Sequence, residues 1–339
     1  MSTRFQRVAI VGAGAIGGWI GARLARGGAG AGAQVSVLAR GDTLQALRQN
    51  GLQLHQGGEC LTVPVNAANN AADLGVQDLV VIAVKGPALA TVAQQVGPLL
   101  GPDTVVLTAM NGVPWWFLQG FGGPAEGRTL NSVDPQGAIA RTIPAPHIVG
   151  CVVHASCSVD APGVVRHHFG DGLIVGEPSG QPTPRVQALQ ALLHSAGFNA
   201  TLSPQIQKDI WFKLWGNMTV NPVSALTGAT SDRLLDDDLV RGFMSSVMHE
   251  AKAIGERIGI PIAQAPEDRH AITRKLGAFK TSMLQDVQAG KPVELDALVA
   301  AVRELGQMTG VDTPFTDALL GLSRLHARVL GLYPPQSGA

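Results

Sequence analysis

Residues 7–26 carry the feature that most constrains this chain: an apolar strand, a glycine turn and a helix, in that order. Arg7-Val-Ala-Ile-Val11 reads as a short buried strand, and Gly12-Ala13-Gly14-Ala15-Ile16-Gly17 follows at once. A helical run through Ile20, Ala22 and Leu24 then continues to about Arg26. Each glycine has its own reason. Gly12 permits a tight turn, Gly14 lets backbone amides approach a pyrophosphate, and Gly17 lets helix and strand pack closely. The amides at the helix start, Ala13 to Gly17 included, point toward the anion. A glycine pattern alone is weak evidence; a strand before it and a helix after it make a dinucleotide cradle at the head of an open parallel sheet.

The rest of the first half extends that sheet. Gln34 to Leu38 is the next strand, reached through the loose loop Gly27 to Ala33. An acidic residue at its end would bind a ribose 2′-hydroxyl, but Ala39-Arg40-Gly41 stands there. Arg40 suits a 2′-phosphate, so NADP is expected rather than NAD; otherwise it is an ordinary surface arginine. Asp42 falls nearer a helix start, where it would cap. Asp78 to Lys85 is the clearest buried parallel strand, followed by a helix opening at Gly86-Pro87. Thr104 to Thr108 is another, ending at Met110-Asn111-Gly112. Carboxyl ends of such strands face the ligand, which makes Lys85 and Asn111 candidates for cofactor or substrate contact. Asn-Gly is also a plain turn signal. Trp115-Trp116-Phe117 is explained first by packing and second as a pocket wall. Strand-like runs at 147–154, 163–169 and 173–177, a helix from Pro182 to Ala196 and a strand from Asn199 to Leu202 complete the first domain.

From Gln205 the pattern turns helical. In Ile210-Trp-Phe-Lys-Leu-Trp-Gly-Asn-Met-Thr-Val-Asn221, helical spacing places Lys213, Asn217 and nearly Asn221 on one face. Trp211, Phe212, Leu214, Trp215 and Met218 cover most of the remaining surface. A helix apolar nearly all round is buried, so a lysine on it needs a reason. It either snorkels to the surface or serves as a cationic acid beside amide donors. Later, apolar residues recur at three- and four-residue spacing from Val240 to Ile258. Asp236-Asp237-Asp238 splay around a helix start and read as surface charge. Ser282-Met-Leu-Gln-Asp-Val287 forms a helix stopping at Gly290 and Pro292, and the next opens with Glu294. Ser282 is otherwise a surface hydroxyl, and Glu294 a carboxylate complementing a helix dipole.

Composition removes several function classes. Twenty-five basic and 25 acidic side chains cancel, so no overall field recruits nucleic acid or an anionic membrane. Cys60, Cys151 and Cys157 lack metal spacing and are expected as buried reduced thiols, which fits a cytoplasmic setting. Neighbouring His167 and His168 point opposite ways on a strand and cannot share a metal. No metal site is expected. Arg4 and Arg7 before the apolar run from Val8 to Ala22 superficially resemble a secretory signal, but five glycines at strand–turn–helix spacing argue against one. No uninterrupted apolar run suggests a membrane span.

Taken together, these residues resemble the ketopantoate reductase (2-dehydropantoate 2-reductase) family from Val8 to about Leu332. The resemblance rests on the glycine turn, Arg40, Lys85 and Asn111-Gly112. It continues with Lys213-x3-Asn217-x3-Asn221-Pro222 and with Ser282-Met-Leu-Gln-Asp followed by Glu294. It implies an α/β fold: a Rossmann-type doubly wound sheet over residues 1–203, an all-helical domain over 204–332, a tail over 333–339, and substrate in a cleft between the domains. It further implies NADPH as hydride donor, Lys213 as proton donor and Lys85 on the cofactor. Asn111, Asn217, Asn221, Ser282 and Glu294 would contact substrate or fix the lysine. Expected partners are a small 2-oxo acid and, at most, a second copy in a homodimer. The chain departs from the family in the lengthened loop Ala29 to Ala33 and in Trp115-Trp116-Phe117. Rival readings are another hydroxy-acid or opine dehydrogenase of this plan, and a non-catalytic NADP(H) sensor, which would have no need of Lys213, Asn217 and Glu294 together.

Overall fold

The computed structural model describes residues 5–27 and 33–335; the loop insertion at 29–33 lies, but for Ala33, outside them, as does most of the tail. The chain forms two compact units: 1–110, 119–121 and 137–209 in one, and 111–118, 122–136 and 210–339 in the other.

The first unit is built on a ten-stranded sheet. In chain order its strands are β1 (Arg7–Val11), β2 (Gln34–Leu38), β3 (Leu52–Gln56), β4 (Glu59–Val63), β5 (Asn66–Ala68), β6 (Leu79–Ile82), β7 (Val105–Thr108), β8 (Ile148–Ala161), β9 (Val164–Gly176) and β10 (Asn199–Leu202). Their spatial order is β4-β3-β9-β8-β7-β6-β1-β2-β5, with β10 paired to β9. From β5 to β8 every pairing is parallel. Apolar residues of β1, β6 and β7 are buried on both faces, as parallel strands covered by helices require. The helices of this unit are α1 (Ala15–Gly27), α2 (Gly41–Asn50), α3 (Gly86–Ala93), α4 (Ala138–Thr142) and α5 (Pro184–Ser195). This is a Rossmann-type doubly wound sheet.

Helix α1 packs closely on both β1 and β9 because it carries glycines on the sides that meet them. A Cβ on Gly21 would lie 3.0 Å from Ile10 on β1, and one on Gly18 would lie 2.5 Å from Val165 on β9. Between them Trp19 is fully buried. It stacks on His167 of β9 at 5.4 Å and meets Phe198 edge-on at 4.8 Å, while the Arg23 guanidinium covers Phe198 at 4.3 Å.

Three sequence expectations change here. The runs at 163–169 and 173–177 are one strand, β9, hydrogen-bonded along its length to a β8 that reaches Ala161. Gly170, with φ +81°, absorbs the irregular register near His154 and Ser156, so the Gly170-Asp-Gly172 break in the apolar pattern is a bulge within a strand, not a loop. The hairpin β3–β4 is an addition, turning at Gly57-Gly58 and pairing with β9. Cys60 on its outer strand is exposed, unlike buried Cys151, because β4 is an edge with no neighbour on its far side among the described residues.

The second unit is helical: α6 (Ile206–Thr227, shared at its first turn with the other unit), α7 (Ser231–Asp236), α8 (Asp238–Arg257), α9 (Pro266–Arg274), α10 (Ser282–Gln288), α11 (Ala301–Thr309) and α12 (Pro314–Val329). A π-helical turn, Asp296–Ala300, precedes α11. The acidic triplet dissolves into helix-end chemistry: Asp237 accepts the Leu239 and Val240 amides at the head of α8, and Asp236 pairs with Arg274. Glu250 of α8 likewise receives the Phe315 and Thr316 amides that open α12. No helix among the described residues is long and apolar enough to cross a membrane.

Trp19→Ala removes the side chain that joins α1 to β9 and β10's flank. Equilibrium denaturation should show a loss of about 3–5 kcal/mol. A loss below about 1 kcal/mol would mean that α1 is held by its glycine contacts alone.

Candidate active site

The glycine turn has the shape its spacing predicts. Gly12 sits at φ +96°, and a Cβ there would approach Val84 to 2.6 Å. A Cβ on Gly17 would approach the Gly12 carbonyl oxygen to 2.0 Å, so neither position admits another residue unchanged. Gly14 is different. It is exposed, and a Cβ there would meet nothing within 4 Å. Space stands open at Gly14, among Ala13, Ala15 and Ile16, where α1 begins and amides lack intrahelical acceptors. That opening fits a pyrophosphate.

Arg40 is exposed at the carboxyl end of β2, and its backbone takes the N-cap position of α2. Asp42 therefore lies inside the first turn rather than capping it. Strand β6 ends at Ile82, three residues short of Lys85; Gly86-Pro87 starts α3 so early that Lys85 becomes its exposed N-cap.

In the second unit the centre is α6. Trp211, Leu214, Trp215 and Met218 are buried, and the Trp215 indole donates to the Met248 carbonyl of α8 at 2.7 Å. Gly255 of α8 makes room for Trp211: a Cβ there would lie 2.6 Å from the indole nitrogen. These contacts fix how α6 is rotated. Lys213 is thereby left half-buried on the remaining face, with Asn217 one turn and buried Asn221 two turns further along. Pro222 has no N–H for the carbonyl one turn earlier, which interrupts the hydrogen-bond ladder next to Asn221.

Lys213 Nζ donates to Asn111 Oδ1 at 2.9 Å, across 102 positions of sequence. An ammonium can only donate, so it fixes the Asn111 oxygen toward itself and leaves the Asn111 NH2 to donate elsewhere. The turn carrying Asn111 is itself anchored. Gly112 lies at φ +80°, a Cβ on it would fall 2.6 Å from the Ala297 carbonyl oxygen, and the Val113 amide donates to that oxygen at 2.8 Å. Ala297 belongs to the π-turn that follows Glu294. Widened turns of this kind free carbonyls from the helix ladder and are frequent at functional sites.

Glu294 is half-buried immediately before this helical segment, and its carbonyl accepts the Leu298 amide. Ser282 is exposed as the first residue of α10, where Thr281 is the cap, accepting the Leu284 amide. The neighbours of these residues meet: Pro222, Met283, Val287, Val293 and Leu295 line one small apolar cavity. Asn221, Ser282 and Glu294 each adjoin a member of that cluster. Trp115, Trp116 and Phe117 are all buried, with Phe117 5.9 Å from Trp211 between ring centres. Packing thus accounts for the aromatic cluster.

One charged residue escaped the sequence reading. Arg269 of α9 lies against Gly216 of α6, one position before Asn217. Its only signal in the sequence is a glycine in mid-helix, which costs stability relative to alanine and calls for a close neighbour.

Comparison with known proteins covers both halves of the chain. The model described as Ketopantoate reductase PanE/ApbA matches residues 8–114, and the one described as Ketopantoate reductase PanE/ApbA C terminal matches residues 205–327. A 2-dehydropantoate 2-reductase of Mesorhizobium japonicum is 45% identical over 328 residues, covering 97% of this chain and 100% of that protein. The crystal structure of a candidate ketopantoate reductase from Ralstonia solanacearum MolK2 is similar with 57% identity and a TM-score of 0.93, over 97% of this chain and 100% of that one. That of 2-dehydropantoate 2-reductase from Geobacter metallireducens GS-15 has 27% identity and a TM-score of 0.81, over 94% and 99%.

The two outer glycines and Gly14 should separate experimentally. Gly14→Ala should leave the melting temperature unchanged while weakening dinucleotide binding roughly tenfold, the scale of one charge-assisted hydrogen bond. Gly17→Ala should lower the melting temperature, since its Cβ meets a backbone oxygen. Equal melting temperatures for the two variants would contradict this division.

Proposed function

The chain belongs to the ketopantoate reductase family and is an oxidoreductase of that type; from this premise we propose that it reduces 2-dehydropantoate to pantoate with NADPH, using Lys213 as general acid. The observation that carries this reading is the Lys213–Asn111 hydrogen bond on the polar face of an otherwise apolar helix.

In this mechanism the turn from Gly12 to Gly17 binds the pyrophosphate with the amides that open α1. Arg40 pairs with a 2′-phosphate, a charge-assisted bond worth roughly 1.5–3 kcal/mol and therefore a preference for NADPH over NADH. Lys85 and Asn111 help hold the cofactor. When bound, the nicotinamide supplies the hydride. As the substrate's C2 carbon gains that hydride, the carbonyl π pair moves onto oxygen, and the Lys213 ammonium stabilises the growing negative charge. Its proton then passes to that oxygen, giving the alcohol and a neutral amine, which regains a proton from solvent. Asn111, held by the lysine, offers its NH2 to substrate. Asn217 and Asn221 add amide donors on the same helix face, Ser282 donates to a substrate oxygen, and Glu294 accepts from the substrate's hydroxyl. The partner is a small molecule. A homodimer, if formed, has a suitable face on α12, where Phe315, Leu322, Leu325 and Val329 are exposed at helical spacing.

Two sets of kinetics test the reading. Lys213→Ala should lower kcat by about 10²–10⁴-fold with NADPH affinity retained, because the ammonium acts chiefly in the transition state. Near-wild-type kcat, with chemistry limiting, would remove Lys213 from the mechanism. Glu294→Ala should raise KM more than it lowers kcat, and only for substrates that bear the hydroxyl. An equal effect on the deoxy analogue would make Glu294 structural. For the cofactor, Arg40→Ala should erase a wild-type preference for NADPH in kcat/KM; a wild-type preference for NADH would overturn the NADP assignment.

A further inference from the structure

Arg269 is a cation that this chain places at a cost and leaves without a counter-charge. Its guanidinium lies flat on α6: a Cβ built on Gly216 would come within 2.6 Å of Nε, 2.7 Å of Nη2 and 2.8 Å of Cζ. The Phe212 ring, one turn before Gly216, is 5.9 Å away. The Arg269 Nε–H is buried with no acceptor, and no carboxylate among the described residues pairs with this side chain. Burial lowers its pKa from the ordinary arginine range, with no neighbouring charge opposing the shift.

Two unfavourable choices therefore coincide. A glycine in the middle of a long helix is poor for helix stability, and a half-buried guanidinium without an acceptor is poorly solvated. The glycine is what admits the guanidinium. Local costs that meet at one point are expected where a ligand later supplies what is missing. The location identifies the ligand. Gly216 is three residues after Lys213 and directly before Asn217, so the guanidinium lies over a helix position that neighbours the lysine whose ammonium bonds Asn111. A 2-oxo acid whose ketone oxygen rests on Lys213 carries a carboxylate on the adjoining carbon, the group that this fork would suit. Guanidinium binds carboxylate through two parallel N–H donors, a geometry that lysine or an amide cannot reproduce.

We infer that Arg269 is the carboxylate anchor of the site, selecting 2-oxo acids over neutral ketones, with Gly216 as the residue that lets it lie beside Lys213. This rests on the reduction proposed above, but its test need not. Oxalate, a two-carbon dianion, is the binding probe, titrated calorimetrically into the full-length protein at low salt. Arg269→Gln should weaken oxalate about 10- to 100-fold, the loss expected for a charge-assisted pair. It should raise KM for 2-dehydropantoate by a similar factor, with kcat changed far less. Turnover of the corresponding uncharged 2-oxo amide should be unaffected. Arg269→Lys should recover only part of the oxalate affinity. Gly216→Ala should weaken oxalate without loss of melting temperature, because it displaces the fork and keeps the charge. The last two variants preserve the test if Arg269→Gln fails to fold.

Unchanged oxalate affinity and an unchanged acid-to-amide ratio in the Arg269 variants would overturn the anchor, leaving a packing role against Phe212. If wild-type protein does not reduce 2-dehydropantoate while oxalate binding still depends on Arg269, the reduction reading fails and the anchor stands.

Discussion

A lysine ammonium can be kept half-buried on a helix of tryptophans only if the helix cannot rotate and the ammonium has an acceptor. Both conditions shape the second unit. The Trp215 indole is tied to a carbonyl of α8, and Trp211 is set into the space that Gly255 leaves, so two large side chains lock the helix about its axis. Rotation by one residue would turn the lysine through about 100° into apolar packing. The acceptor comes from a distant stretch, Asn111, placed by a glycine that touches the backbone of the π-turn at Ala297. Helix rotation, the Asn111 turn and the helix opening after Glu294 thus depend on each other. A change at Gly112 would act on Lys213 without touching it.

The local parts of this arrangement were legible in the sequence, and the long-range parts were not. Strand, glycine turn and helix are written within twenty residues, each glycine answering a nearby steric need. The same holds for the face that carries Lys213, Asn217 and Asn221, which follows from helical spacing. The long hairpin of β8 and β9 was read as fragments because a glycine bulge imitates a turn when the partner strand is unknown. The edge position of β4 was equally hidden, so Cys60 looked like any thiol in an apolar run. The docking of Gly112 on Ala297 and of Arg269 on Gly216 join residues 185 and 53 positions apart. No periodicity encodes such pairs; only an unexplained glycine marks one end.

Trp115-Trp116-Phe117 shows how burial redirects an argument about specificity. These residues are one of the chain's two departures from the family, explained first by packing and second as a pocket wall. They are packed into the core of the second unit, with Phe117 against Trp211 on the buried side of α6. Their large apolar area supports the helix that carries Lys213. In the proposed site, the groups left to choose among 2-oxo acids are polar: Ser282, Glu294, the amides of α6 and, by our inference, Arg269.

Polar groups discriminate differently from an apolar wall. An apolar pocket rejects a substrate one methylene too large or too small by only about 1–3 kcal/mol, whereas buried polar groups left unpaired penalise a substrate that lacks their partner far more. A site with an amide already committed to a lysine and a guanidinium lacking any acceptor is of the second kind. By our inference it would recognise an oxygen pattern, a ketone next to a carboxylate, more strictly than the carbon skeleton. On that basis, small changes in the substrate's alkyl branches should be tolerated better than removal of its charge. Glu294 then has a narrower part: it is the one carboxylate in the proposed set, so it can reward a substrate hydroxyl but would repel a second carboxylate. The residue set therefore favours a hydroxylated monocarboxylic 2-oxo acid over a 2-oxo diacid. That preference follows from charge, whichever way the aromatic core is packed.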